Sequence, residues 1–149
     1  MSTKFNAALL TVLALTLSTS GASAFQVYGD IGAKWQALGG PNGPLGDAMS
    51  DEADAAHGGR FNNFQFGFIY WHPRYGAHAV YGLIGELWNG MGRERGTCGY
   101  PKTDEYAFGA GGRRSDFQHG KIIWKPGQAT AIATCGAYNQ DDVIIRPSE

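Results

Sequence analysis

The chain has 149 residues, with 12 lysines and arginines against 13 aspartates and glutamates, for a formal net charge of −1 at pH 7. Acids and bases are interspersed, so the basic field needed to hold a phosphate backbone is missing and nucleic acid is excluded as an expected partner. With 43% hydrophobic and 13% aromatic residues, the length suits one domain with a modest core.

The first residues read as an export signal. Lys4 supplies the positive end, Ala7 to Leu17 the apolar core, and Ala22-Ser23-Ala24 a small-residue cleavage site that leaves Phe25 at the new N-terminus. The apolar run falls short of the roughly 20 residues that a spanning helix requires, so a membrane anchor is the weaker reading. No other stretch reads as a span. The expected product is a single exported domain over residues 25–149, secreted or extracellular, with the cell wall as one destination.

From Ile31 to Leu38 apolar residues recur at spacings of three and four, which predicts a short helix ended by Gly39-Gly40-Pro41. A glycine-punctuated turn, Gly43-Pro44-Leu45-Gly46, leads to Ser50-Asp51-Glu52, where a hydroxyl before acids suits a helix start or a side-chain-capped turn. Strands follow over 60–64, 66–72 and 77–81, broken by Gly67 and by Pro73-Arg74-Tyr75-Gly76, as in an antiparallel meander.

All of this then recurs. Sliding the chain on itself by about 53 residues gives about 17 identities over roughly 43 positions, where average composition would give around three. Trp35 pairs with Trp88, Asp51-Glu52 with Asp104-Glu105, Gly58-Gly59-Arg60 with Gly111-Gly112-Arg113, and Trp71 with Trp124. The copies run over about 31–83 and 84–136. Phe25 to Gly32 matches His78 to Gly85, so the exported chain is expected to begin on the last strand of a missing unit. The predicted fold is mainly β with short helices, a tandem repeat of antiparallel meander units.

Trp35 and Trp88 lie on the apolar helix faces and are expected in the core. The kept acids can pair with the kept bases, Asp51 or its neighbour with Arg60 and Asp104 or its neighbour with Arg113, holding each loop against its sheet. Cys98 and Cys135 are the only thiols, and in an exported chain such a pair reads as a disulfide worth up to roughly 4 kcal/mol. Cys98 takes the slot of Leu45, and Cys135 falls near that of Tyr81.

Side chains alternate along a strand, so Ile69 and Trp71 share one face while Phe68, Tyr70 and His72 share the other. The second copy keeps Ile122 and Trp124 but changes the opposite face to Lys121, Ile123 and Lys125, with His119 for Phe66. The kept face is therefore expected to be buried, making Trp71 and Trp124 structural. The changed face is expected outside, where Phe66, Phe68, Tyr70 and His72, with Tyr75 and His78 nearby, form an aromatic ligand-binding strip. Alternatively, a neighbouring element or Val143-Ile144-Ile145 covers it.

The unit resembles the LGFP repeat. The resemblance rests on Ile-x3-Trp, Gly-Pro-Leu-Gly at Gly43–Gly46 or Cys-Gly-Tyr-Pro at Cys98–Pro101, then Asp-Glu, Gly-Gly-Arg, Phe-Gln-x-Gly, Ile-x-Trp-x-Pro and Gly-Ala-His-Ala-Val. It implies an exported protein whose repeats anchor to the cell wall and stack into a propeller-like ring. Two departures stand out: Cys98 replaces the leucine of the naming tetrapeptide, and Asp47-Ala48 replaces its last two residues in the first copy. Two units and a fragment are too few to close a ring, so self-association or an open two-unit body capped by Val143 to Ile145 is expected.

The expected function is non-catalytic binding of cell-wall polysaccharide or another glycan, without cofactor or metal. A structural or interaction protein that self-associates or binds a host protein is the alternative. A small hydrolase is the weaker third reading: His57, His72, His78 and His119 are scattered, and the carboxylates of Asp51-Glu52 and Asp104-Glu105 serve only if the repeats face each other.

Overall fold

The computed structural model describes residues 25–136, so the export signal and the Val143–Ile145 segment lie outside the described residues. Each copy contributes one helix and one four-stranded antiparallel sheet. In the first copy these are α1 (Gly29–Ala37), β1 (Ala53–Asp54), β2 (Arg60–Phe64), β3 (Gly67–His72) and β4 (Gly76–Tyr81), in sheet order β1-β2-β3-β4. The second copy has α2 (Gly82–Gly90), β5 (Tyr106–Phe108), β6 (Gly112–Phe117), β7 (Gly120–Trp124) and β8 (Ile132–Cys135), in order β5-β6-β7-β8. The meanders and both helices are those read from the sequence, with the helices starting two residues earlier. No closed barrel or ring is formed among the described residues.

Local chemistry sets these elements. Each helix ends on a glycine in the left-handed region, Gly39 (φ 101°) and Gly92 (φ 95°), a conformation that costs a side chain dearly and glycine little. In register, Phe61 faces Tyr70 across β2 and β3, and its counterpart Arg114 faces Ile123 across β6 and β7. The Oγ of Ser50 accepts from the Asn63 amide at 3.2 Å, and that of Thr103 from the Asp116 amide at 2.9 Å. Of the two expected roles, a helix start and a side-chain-capped turn, the helix start is absent: each hydroxyl instead ties its loop to the neighbouring strand.

The first core lies between α1 and one face of the first sheet, built from Ile31, Trp35, Leu45, Phe64, Ile69 and Ala79. The second contains the counterparts Ile84, Trp88, Cys98, Phe117 and Ile122 together with Tyr70, Val80 and Tyr100. Those three additions explain the architecture. They come from the opposite face of the first sheet and from the tetrapeptide of the second copy, so α2 is packed between the two sheets and the second core is also the joint between the repeats.

Both helix tryptophans are buried as expected and tie their own turns: Trp35 Nε1 donates to Gly46 O at 3.0 Å and Trp88 Nε1 to Gly99 O at 3.1 Å. Cys98 and Cys135 form a disulfide with Cα atoms 4.9 Å apart, joining the α2–β5 turn to the last strand. The N-terminal segment Phe25–Tyr28 is not in a sheet. It nevertheless follows the expected track, since the Gln26 amide donates to Asp51 Oδ1 at 3.2 Å as the Ala79 amide of β4 does to Asp104 Oδ1 at 2.9 Å.

Candidate functional site

The aromatic strip expected on the changed face of β3 is not a single outward surface. Tyr70, its centre, is 2% exposed and sealed among Trp88, Tyr100 and Phe61, with ring centroids 4.9, 6.1 and 5.0 Å away. Burial accordingly pushes its phenol well above the usual range. The physical reason is that the second repeat sits on this face. Phe68 is half-buried, with the Arg93 guanidinium 4.3 Å above its ring and Trp88 against its edge.

Tyr70 thus divides the strip in two. At the far end His72 stacks on Tyr75 (5.1 Å) and lies against Tyr100 (4.7 Å), while His78 bonds Tyr75 O at 2.8 Å. These side chains are half-buried and occupied with each other. At the near end Phe66 is 65% exposed, and with Phe68 it lines a groove of about 450 Å³ between the first sheet and α2. Gln65, Tyr81, Glu86 and Asn89 supply the polar rim. A volume in the range that holds small ligands, with apolar walls and a few polar groups, makes this the candidate site.

The expectation for the kept face also needs correction. Ile69 and Ile122 are buried, but Trp71 and Trp124 are only half-buried. Each indole is nonetheless fixed, Trp71 Nε1 by Asp30 Oδ2 at 2.8 Å and Trp124 Nε1 by Gln128 O at 2.9 Å. Both lie near strand ends, beside the first turn of the helix that covers the isoleucines, which leaves part of each ring open.

Of the two kept acids in each copy, the glutamate and not the aspartate forms the ion pair with the arginine. Arg60 Nε bonds Glu52 and Arg113 Nε bonds Glu105, the latter at 2.6 Å, so the glutamates anchor the loops to the sheets. Asp51 and Asp104 instead accept the backbone amides of the preceding segment, and Asp104 also takes Lys34 Nζ at 2.6 Å. Burial acts to raise the Asp104 carboxyl, but the His78 imidazole 3.6 Å away and the bonds from Lys34 and the Ala79 amide outweigh it and hold the group well below the usual carboxylate range.

The residues that close the joint were missed. Tyr100 Oη donates to Ala56 O, and Glu94 accepts from the Ala56 amide at 3.3 Å, so the second repeat grips both sides of one residue of the first. Burial pushes the Tyr100 phenol up to about 12. The usable signal was that the copies disagree there, with Asp47 against Tyr100 and Pro41 against Glu94.

The sequence model of the LGFP repeat matches the chain twice in tandem, over residues 45–96 and 99–140. The chain belongs to the LGFP repeat family. In its tetrapeptide, the third position of the second copy is Tyr100, the aromatic plug of the joint; the half-exposed Asp47 takes that position in the first copy. No curated protein matches the chain. Membership of this family and the disulfide fit a secreted or cell-surface protein, and among the described residues no helix is long and apolar enough to cross a membrane.

Proposed function

We propose that this LGFP repeat protein is a secreted, non-catalytic module that binds polysaccharide, cell-wall glycan foremost, in the groove between its repeats. The observation that carries the reading is Phe66, a large aromatic ring 65% exposed beside Phe68 at the wall of a groove rimmed by Gln65, Glu86 and Asn89. A ring held at the lip of such a groove offers a stacking surface, while amide and carboxylate groups suit sugar hydroxyls. Lack of catalysis is part of the proposal: the carboxylates of Glu52 and Glu105 are engaged by arginines, and those of Asp51 and Asp104 by backbone amides. The test is co-sedimentation with peptidoglycan, chitin, glucan and arabinogalactan. Retention on at least one that is lost in Phe66→Ser is expected, and a protein that stays in the supernatant with all four refutes the reading.

Self-association is favoured by a different observation. The outer face of the second sheet carries Ile132, 55% exposed, opposite half-buried Ile123, on the face that the first sheet buries against its neighbour. Sedimentation velocity decides between a monomer and an oligomer that Ile132→Lys disperses.

A further inference from the structure

Two small clefts, one in each repeat, match residue for residue. The first, about 280 Å³, is lined by Tyr28, Gly29, Ile31, Glu52, Arg60 and Trp71, together with Asp30. The second, about 210 Å³, is lined by Tyr81, Gly82, Ile84, Glu105, Arg113 and Trp124, together with Leu83. Six of the seven positions are identical under the 53-residue offset, and Asp30 against Leu83 is the exception. Surfaces close by have diverged: Asp54 is answered by Ala107, Phe61 by Arg114 and His72 by Lys125.

The tryptophans are held in the same way by unlike bonds, to a carboxylate in one copy and to a backbone carbonyl in the other. What is maintained is a fixed, half-exposed indole beside a tyrosine, a preorganised aromatic wall. Beside it, on the neighbouring strand, stands the arginine of the Arg–Glu pair. A guanidinium has five N–H donors, and among the described residues Arg60 and Arg113 each spend two on acidic partners and the adjoining carbonyl. Donors therefore remain for a ligand.

Size and charge select the ligand class. Both volumes fall below the roughly 300–1,000 Å³ of sites for drug-sized molecules, so each cleft accommodates about one ring. Arg113 and Glu105 cancel in the second, and Asp30 adds a negative charge in the first, so neither attracts an anion. The remaining chemistry, an aromatic face with paired donors and acceptors, fits an uncharged polyhydroxyl ring.

We infer that each repeat carries one equivalent subsite for a single neutral sugar ring, stacked on Trp71 or Trp124 and hydrogen-bonded to the adjacent Arg–Glu pair. This deepens the glycan-binding reading on tryptophans and Arg–Glu pairs that the groove does not use; the second cleft shares only Tyr81 and Gly82 with the groove.

The four tryptophans make the test internally controlled. Neutral monosaccharides (glucose, galactose, arabinose, N-acetylglucosamine) are titrated into the isotopically labelled exported chain, and the indole N–H resonances are followed. With at least one sugar, the Trp71 and Trp124 signals shift saturably, with dissociation constants on the order of 1 mM or weaker, while those of the buried Trp35 and Trp88 stay in place. Tyr28→Ser, at a side chain 55% exposed, abolishes the Trp71 response and leaves that of Trp124. Four silent indoles, four that move together, or a Trp71 response unchanged by Tyr28→Ser overturns the inference. If Phe66 and Glu86 respond while the cleft indoles do not, the groove stands as the glycan site and the paired subsites fall.

Discussion

Tyr100 is the sharpest test of how the repeats are joined. Its side chain is 1% exposed, its ring meets Tyr70 edge-on at 6.1 Å, and its hydroxyl donates to Ala56 O in the other repeat. Tyr100→Ala removes a buried aromatic, which costs about 3–5 kcal/mol, and a hydrogen bond worth about 1 more. Domains of this size are stable by only about 5–15 kcal/mol, so the variant should lose more than about 10 °C in Tm or fail to fold. Tyr100→Phe should cost about 1 kcal/mol, the low end for a lost buried bond, because Ala56 O keeps the Gly59 amide at 3.2 Å. A double-mutant cycle with Tyr70→Ala should return a coupling of about 0.5–1.5 kcal/mol. Asp47→Ala, at the same tetrapeptide position in the first copy, should fall within about 0.5 kcal/mol of wild type. Urea unfolding followed by tryptophan fluorescence and far-UV circular dichroism measures all four. A Tyr100→Ala cost under about 1 kcal/mol, or two separate transitions in the wild-type protein, would show that the repeats do not share a core.

Three further outcomes follow from the same geometry. The disulfide spans 37 residues, a loop whose closure entropy is worth about 4 kcal/mol, so Cys98→Ala/Cys135→Ala should lower the urea midpoint accordingly, and reductant should leave this variant unmoved while destabilising wild type. Asp104 has a folded-state pKa below its unfolded value, so its stabilisation is complete above about pH 4 and is lost as pH falls through the folded value. Asp104→Asn should flatten the acid limb of a stability–pH profile without changing its shape above about pH 5. Gly59→Ala would drive a Cβ into the Tyr100 hydroxyl and to 2.7 Å from Trp71 O, so it should cost at least about 1–3 kcal/mol by thermal denaturation, and Tyr100→Ala should relieve part of that cost.

Much of the fold was legible because the signals involved are local or repeated. The periodicity of Ile31, Trp35 and Leu38 marks a helix in any context, and the glycines and prolines between strands punctuate a meander whatever it packs against. The second copy then repeats each reading independently. The cysteine pair was legible from chemistry alone. Assignments that depend on what lies across a surface were not legible. An aromatic strip such as Phe68-Tyr70-His72 has the same composition whether it faces a ligand or the next repeat, since both reward large, rigid, apolar rings. Nor does the pair Asp51-Glu52 disclose which carboxylate meets Arg60, because the choice depends on a backbone amide of the segment before the helix competing for one of them.

The differences between the copies instead record position in the array. Where the repeats meet, the second copy presents Leu83, Leu87, Met91 and Tyr100, all packed against the shared core; the matching positions of the first copy are Asp30, Lys34, Leu38 and Asp47. On the sheets the relation runs the other way, with Phe61, Phe68 and Tyr70 at the joint and Arg114, Lys121 and Ile123 at the far end. Each end of the described body is thus more polar than the corresponding surface inside it, as the terminal units of a stacked array must be if they are to face water. A ring would require both ends to carry the apolar set of the joint. With charge at both, the described residues form an open pair.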